Sequence, residues 1–511
     1  MKLVVLGGGG FRVPLIHGKV LADPRRPVDE LVLHDVDKFR LAAITAVLDD
    51  QAHSAAWRPR LHTTTSLDEA LTGADVVFSA IRVGGLDGRA QDERIALNEG
   101  LIGQETVGPG GVCYALRTLP VAMDIARRVA ELAPHAWLLN FTNPAGVITE
   151  AMSSVLGDRV IGICDSPAGL CRRVATALGL DHGSADVRFD YVGLNHLGWL
   201  RRVLVSDVDI LPELLADDAA LASFEEGSLF APEWLRAIGA IPNEYLHHFY
   251  YAREIIAASR GRTRGEFLLA EQRDFYRRAR DNPDAALRIW REVRLRREQS
   301  YLAEARDVAN AGERSEQELA SGGYEDIALR LMSTLTAVNT AAEGGDSGSQ
   351  PARPGRATAP GKTSPLDKTS PLDNAAVPSS SVTEDAAAHT ANAAHAAAED
   401  AREDGDVLIL NVRNRGAIPN FDEHAVVEVP CRVDPTGAHP IATTALDGHL
   451  AAQMTAIKTV ERDTIAAARD RSRARALRAI AGHPLVDSVP AATRTLDAYA
   501  ATFPELTDFA P

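Results

Sequence analysis

The feature that most constrains this chain is a regular alternation, over residues 1 to 165, of short apolar runs with longer amphipathic stretches. The runs are Leu3–Leu6, Leu31–Leu33, Val76–Ala80, Trp137–Asn140 and Val160–Cys164. Strands that alternate with helical segments build a parallel, doubly wound sheet of the Rossmann type, an α/β fold. Ligands of such a sheet lie beyond the C-terminal ends of its strands. The residues there are Gly7, Asp35, Ile81-Arg82, Asn140 and Cys164, so each end offers a glycine or a polar group.

The first strand runs straight into Gly7-Gly8-Gly9-Gly10-Phe11. Glycines at a first strand-to-helix turn let the backbone approach a pyrophosphate, and the following helix offers free N–H groups to it. Asp35 ends the second strand, where a carboxylate binds a ribose 2′-hydroxyl and repels a 2′-phosphate. The expected cofactor is therefore NAD rather than NADP, held at Gly7, Gly8, Gly9, Gly10, Phe11 and Asp35. A tight turn without a ligand is the alternative.

Beyond residue 165 the pattern changes. Phe189–Gly193 reads as a strand leading to His196, and helical stretches run from Glu213 to about Val338. Between 341 and 405 the composition falls to Ala, Ser, Pro, Gly, Asp and Glu, with Lys-Thr-Ser-Pro-Leu-Asp repeated at 362–367 and 368–373. So little apolar surface does not offset the entropy of ordering, and a disordered insertion is expected. Strand-like Val407–Val412 and Ala425–Val429 follow, then a helical tail from about His449. The expected organisation is thus an NAD-binding domain at 1–165 and an α+β domain at 166–340 and 406–511, interrupted by 341–405.

The 54 Lys+Arg against 70 Asp+Glu leave a net charge of -16, which repels nucleic-acid phosphates and anionic membranes, and no local basic patch overrides it. A few buried arginines can still bind one small anion. The N-terminal apolar run breaks into glycine too early for a signal peptide, and no segment approaches the roughly 18–20 apolar residues of a membrane span, so a cytoplasmic protein is expected. Cys113, Cys164, Cys171 and Cys431 have no framework spacing and are expected as reduced thiols.

Cys164 closes one strand and His196 follows another, which can bring a soft metal ligand and an imidazole into one cleft; taken singly, either reads equally well as a core residue. Whole motifs add weight. Gly7–Gly10, Gly84-Gly85-Leu86-Asp87-Gly88-Arg89, Gly103-Gln104-Glu105-Thr106, Asn140-Phe141-Thr142-Asn143-Pro144, Cys164-Asp165, Gly193–Gly198 and Pro242-Asn243-Glu244-Tyr245-Leu246 occur in order. On these seven matches the chain, outside its insertion, resembles glycoside hydrolase family 4, the NAD- and divalent-metal-dependent glycosidases, and among them most the 6-phospho-β-glucosidases.

The resemblance implies a mechanism outside the usual two-carboxylate scheme of glycoside hydrolysis. NAD⁺ takes a hydride from C3 of the sugar, a base removes the acidified C2 proton, the leaving group departs from C1, water adds, and the hydride returns. It implies Cys164 and His196 as ligands of a divalent ion, manganese in the family although thiolates ordinarily suit zinc. Tyr245 matches the base, whose pKa a nearby cation would lower. Asp165 matches the position of a leaving-group acid in some α-specific members, whereas many β-specific ones have asparagine there; a helix cap near Pro167 is its other reading. Asn143 matches a sugar contact, although Asn-Pro is also a common turn. Arg89 and Arg264 match arginines around the substrate and its 6-phosphate, with Arg262 an alternative register.

The implied C-terminal domain resembles that of lactate and malate dehydrogenases, and the implied assembly is a homodimer or homotetramer acting on a small phosphorylated glycoside. Other family members act on 6-phospho-α-glucosides or unphosphorylated glycosides. Outside the family, an NAD-dependent 2-hydroxy-acid dehydrogenase leaves Cys164, His196 and Tyr245 without a role; a non-catalytic, degenerate relative whose long insertion binds a partner would be supported by loss of Tyr245 or Cys164, and both are present.

Overall fold

The computed structural model describes every residue except 185, 260, 302, 310, 312–322, 338–405 and 447. The stretch 341–405, expected to be disordered, lies outside the described residues. Six parallel strands stand side by side in the order β6–β5–β4–β1–β2–β3: β1 (Lys2–Leu6), β2 (Glu30–His34), β3 (Arg60–Thr64), β4 (Val76–Ser79), β5 (Trp137–Asn140) and β6 (Val160–Gly162). The order reverses between β1 and β4, the switch point at which doubly wound sheets bind dinucleotides. Helices α1 (Val13–Ala22), α2 (Lys38–Ala52), α3 (Leu67–Leu71), α4 (Gly85–Asn98), α5 (Gly108–Leu132), α6 (Ala145–Leu156) and α7 (Ser166–Ala177) accompany the strands.

Side chains leave the strands alternately for two separate cores. Leu3, Val5, Leu33 and Phe78 join one apolar cluster, and Val4, Leu6, Val32 and Val77 the other. Burial on both faces is why these strands read as unbroken apolar runs rather than as alternation. Two details depart from the sequence reading. Strand β3, Arg-Leu-His-Thr-Thr, escaped it because an edge strand with three exposed residues needs no apolar run. Strand β6 stops at Gly162, so Cys164 lies in the loop before α7; Ile163 N–H still donates to the Asn140 carbonyl at 3.0 Å, which holds that loop against the end of β5.

The remaining strands form an antiparallel arm: β7 (Val187–Leu194), β8 (Leu197–Val205), β9 (Val208–Asp209), β10 (Ile241–Pro242), β11 (Asp406–Arg413), β12 (Val426–Asp434) and β13 (Gly437–Pro440). The arm runs β10–β8–β7–β12–β11 and joins β6 at Asn411 opposite Gly162, so one sheet crosses the expected boundary at residue 165. Between β10 and β11 the described chain is mainly helical, and after β13 come helices Gly448–Asp470, Arg473–Ala481 and Val489–Thr502. The helix Arg264–Asp281 starts with a capping box, Thr263 accepting from Glu266 N–H and Glu266 from Thr263 N–H. All four cysteines are buried and free, and no helix among the described residues is long and apolar enough to cross a membrane.

Candidate active site

A cavity of about 340 Å³ opens at the C-terminal ends of β1, β4, β5 and β6. Gly7, Gly10, Phe11, Arg89, Asn143, Cys164, Asp165, His196, Tyr245 and Arg264 line it. Gly8, Gly9 and Asp35 are not among its lining residues; they build the turn beneath. A Cβ on Gly7, whose φ is +81°, would lie 2.5 Å from the Ala80 carbonyl oxygen, and one on Gly8 2.7 Å from the Leu33 Cβ. Asp35 accepts from the N–H groups of Gly9 and Asp37, both at 3.0 Å, which fixes its carboxylate at the end of β2. Helices of the second half clasp the turn from outside. Tyr276 donates to the Gly9 carbonyl at 2.6 Å, Trp290 to that of Phe11 at 2.8 Å and Tyr324 to that of Arg12 at 3.0 Å. Helix α1 begins at Val13 without a side-chain cap; the Val13 and Leu15 N–H groups donate to the Gly10 and Arg12 carbonyls at 3.1 and 3.0 Å, and Pro14 has no N–H, so this turn is closed by its own backbone.

His196 occupies the tight connection between β7 and β8, with φ at +64°, a left-handed conformation uncommon outside glycine. Its ring stacks on Tyr245 with centroids 3.6 Å apart and planes 9° from parallel. The Thr106 hydroxyl lies 2.7 Å from its Nδ1. Burial lowers the His196 pKa to about 3, so the ring is neutral and able to ligate a metal. Burial, with Glu428 and Asp165 nearby, pushes the Cys164 thiol well up, while the Ser166 N–H pulls the other way. Burial likewise raises the Tyr245 phenol, with Glu244 and Cys164 adding to it, and Tyr301 donates to its oxygen at 3.4 Å. A thiolate and a phenolate in this place both require a cation beside them.

The donor set fits such an ion. Cys164 and His196 both line the cavity, and among the described residues no group of three His, Cys, Asp or Glu side chains could enclose a metal. The protein thus supplies too few ligands for a closed site and leaves positions for oxygens of a bound molecule. Asp165 stands at the N-cap position of α7 but makes no side-chain capping bond, so its carboxylate lines the cavity instead of capping the helix.

A second cluster is basic. Arg89 donates to Glu93 at 2.8 Å and to Glu105 at 2.6 Å, and Arg82 also pairs with Glu105. Burial raises the Glu105 carboxyl, but Arg82 and Arg89 outweigh it and hold it at about 2. Arg264 is anchored by the Ser300 hydroxyl at 2.5 Å and the Arg297 carbonyl at 2.8 Å. Its neighbour Arg262 is exposed and donates to the Glu266 carbonyl at 3.2 Å, so Arg264 is the arginine of this segment that reaches the cavity. Burial and the Arg89 charge bring Arg264 down to about 10; burial, Arg12 and Arg264 bring Arg297 down to about 9. Among the described residues the Arg297 guanidinium makes no hydrogen bond or ion pair. Guanidinium groups gathered so closely disfavour one another until an anion joins them.

Arg297 carried no signal in the sequence. Its run Val293-Arg294-Leu295-Arg296-Arg297 reads as the solvated face of a helix, and only the packing of that helix against the cavity singles it out. Thr106 and Gln104 stood in a motif without an assigned task, and Tyr301 in none.

The sequence model of the family 4 glycosyl hydrolases matches residues 2–180, and that of the family 4 glycosyl hydrolase C-terminal domain matches 191–486. A probable 6-phospho-beta-glucosidase of Bacillus subtilis is 33% identical over 302 residues, 56% of this chain and 68% of that protein. The structure of the 6-phospho-beta glucosidase from Thermotoga maritima with manganese, NAD+ and glucose-6-phosphate superposes with a TM-score of 0.72 at 23% identity, covering 98% of both chains. A 6-phospho-alpha-glucosidase from gut microorganisms, in complex with NAD and glucose-6-phosphate, gives 0.71 at 22% identity, covering 100% of this chain and 99% of that one. With both family models matched end to end across the sheet that carries the cavity, the chain belongs to family 4 of the glycosyl hydrolases.

Proposed function

We propose that the chain hydrolyses 6-phospho-β-glucosides, with NAD⁺ and a divalent metal as cofactors and without net oxidation. The observation that carries this reading is the meeting, in one cavity, of the glycine turn, the Cys164–His196–Tyr245 group and the arginines Arg89, Arg264 and Arg297. When bound, NAD⁺ supplies a hydride acceptor for the sugar's C3, and the divalent ion supplies Lewis acidity at its hydroxyls.

The chain's own groups do the rest. Gly7, Gly10 and Phe11 shape the dinucleotide end, and Cys164 and His196 hold the ion. The Tyr245 hydroxyl, stacked against His196, is placed to take the C2 proton. Asn143 contacts the sugar. Arg89, Arg264 and Arg297 orient the 6-phosphate, whose charge satisfies guanidinium groups that otherwise repel one another. Substrate held at its phosphate end presents C1 to C3 to the metal end in a fixed register, which is where binding energy turns into orientation.

One observation favours a second reading, the α-linked substrate. Asp165 lines the cavity with its carboxylate uncommitted to the α7 cap, as a leaving-group acid requires. The test uses chelator-stripped protein and p-nitrophenyl β-glucoside 6-phosphate, with and without NAD⁺ and Mn²⁺, following nitrophenol and NADH together. Nitrophenol release that needs both additions, with no NADH accumulating, supports the proposal. Release from the α-anomer alone moves the assignment to that substrate, and NADH that builds up without nitrophenol points to a dehydrogenase.

A further inference from the structure

The loop Gly103–Val107 leads into α5 and passes beside His196, and its hydrogen bonds favour one arrangement of protons. Gln104 Oε1 receives the backbone N–H of Thr106 at 2.5 Å and that of Val107 at 2.7 Å. Two N–H donors aimed at one atom identify it as the amide oxygen, because the alternative flip would set a donor against donors. The Thr106 hydroxyl lies 3.0 Å from the same oxygen. An amide oxygen cannot donate, so this contact is a hydrogen bond when the Thr106 hydroxyl proton points to Gln104, and otherwise leaves two oxygens facing each other at 3.0 Å with no proton between them. With the proton so placed, the Thr106 oxygen has lone pairs left for His196 Nδ1, 2.7 Å away, and the proton between them is the imidazole's.

We propose that Gln104 and Thr106 are positioning residues that lock His196 in the Nδ1–H tautomer and so present Nε2, unprotonated, to the divalent ion. The inference rests on the proposed metal role of Cys164 and His196. A hydrogen-bond partner on the far ring nitrogen sets both the tautomer and the orientation of a ligating histidine. The loop is itself rigid. A Cβ on Gly110 would fall 2.3 Å from the Gln104 carbonyl oxygen, and one on Gly111 2.4 Å from that of Thr106, so the first turn of α5 presses directly on it. Motion of Thr106 away from the ring is thereby restricted. The run Gly103-Gln104-Glu105-Thr106 acquires two tasks: Glu105 pairs Arg82 and Arg89, and its neighbours on either side orient the histidine.

The experiment titrates chelator-stripped full-length protein with Mn²⁺ alone and counts free ion by its electron paramagnetic resonance signal. Thr106→Val keeps the shape and removes the lone pairs. Its Mn²⁺ affinity is expected to fall 10- to 100-fold, about the loss typical of an outer-shell partner. Thr106→Ser is expected to restore it, with NAD⁺ affinity and thermal midpoint at wild-type values in both. Wild-type Mn²⁺ affinity in Thr106→Val overturns the relay while leaving the metal site intact. Wild-type affinity in His196→Ala, or no binding by the wild-type protein, overturns the metal reading and the relay with it. If Thr106→Val does not fold, ¹⁵N-histidine spectra of the metal-free wild type, with the His196 signals identified by their loss in His196→Ala, decide the matter. A protonated Nε2 would refute the proposal.

Discussion

Replacing Arg297 by methionine is predicted to make the ligand-free protein more stable and the enzyme worse. The guanidinium is brought down to about 9 by burial and by the charges of Arg12 and Arg264, and no described side chain pairs with it. Each tenfold bias against the charged form is worth about 1.4 kcal/mol, so a fully enclosed arginine in this position would store a few kcal/mol. The residue is half-buried rather than fully enclosed, and solvent screening reduces the relief expected from Arg297→Met to about 2 kcal/mol. The methionine keeps the stem's apolar contacts, and the Arg297 carbonyl that anchors Arg264 is unaffected by the change. Loss of a charge-assisted bond to phosphate should cost about 2–3 kcal/mol in binding, on the order of 30- to 150-fold. Urea unfolding without ligands measures the first effect, and competitive inhibition by glucose 6-phosphate against unphosphorylated glucose the second. A variant less stable than wild type, or one that still discriminates fully between the two sugars, would refute the argument.

Gly7→Ala should destabilise by about 2–5 kcal/mol, combining a left-handed backbone at +81° with a Cβ set 2.5 Å from the Ala80 carbonyl oxygen, and should abolish NAD⁺ binding in a fluorescence titration. Tyr245→Phe is expected to keep NAD⁺ and Mn²⁺ affinity but to slow exchange of the sugar's C2 proton, seen by NMR in deuterium oxide, by two orders of magnitude or more, a range of about 10²–10⁴ being typical for a lost acid–base group. His247 is buried with neither ring nitrogen hydrogen-bonded among the described residues, and its ring stacks on Tyr251 at 4.4 Å. Burial lowers its pKa to about 3, so below about pH 6.5 the unfolded chain takes up a proton that the folded one refuses, and stability falls as pH drops towards 3. His247→Phe should therefore gain about 1–2 kcal/mol at pH 7 and lose stability less steeply in acid, as read from denaturation midpoints between pH 7 and 4.

The strands of the parallel sheet were legible because each is buried on two faces and has to be apolar throughout. β3 was not, since an edge strand is held by backbone bonds that leave no mark on residue choice. The glycine turn was legible for a related reason: close approach to Ala80 and Leu33 excludes every side chain. Asp165 stayed ambiguous, because a helix cap and a cavity carboxylate use the same residue beside the same proline, and only the absent capping bond separates them. Arg262 and Arg264 were likewise indistinguishable two positions apart, and the helix that starts at Arg264 turned one inward and the other to solvent.

Local chemistry written in the chain thus determined the sheet, the dinucleotide turn and the family motifs that belong to one catalytic group. The tertiary structure decided what meets what: the stacking of Tyr245 on His196, the chain of polar contacts from Gln104 through Thr106 to the imidazole, and the entry of Arg297 from an otherwise solvated helix. The physical reason is separation. Backbone propensity and burial act within a few residues and leave a periodic trace, whereas hydrogen bonds and charge repulsion between residues far apart in sequence exist only once packing brings them within a few ångströms.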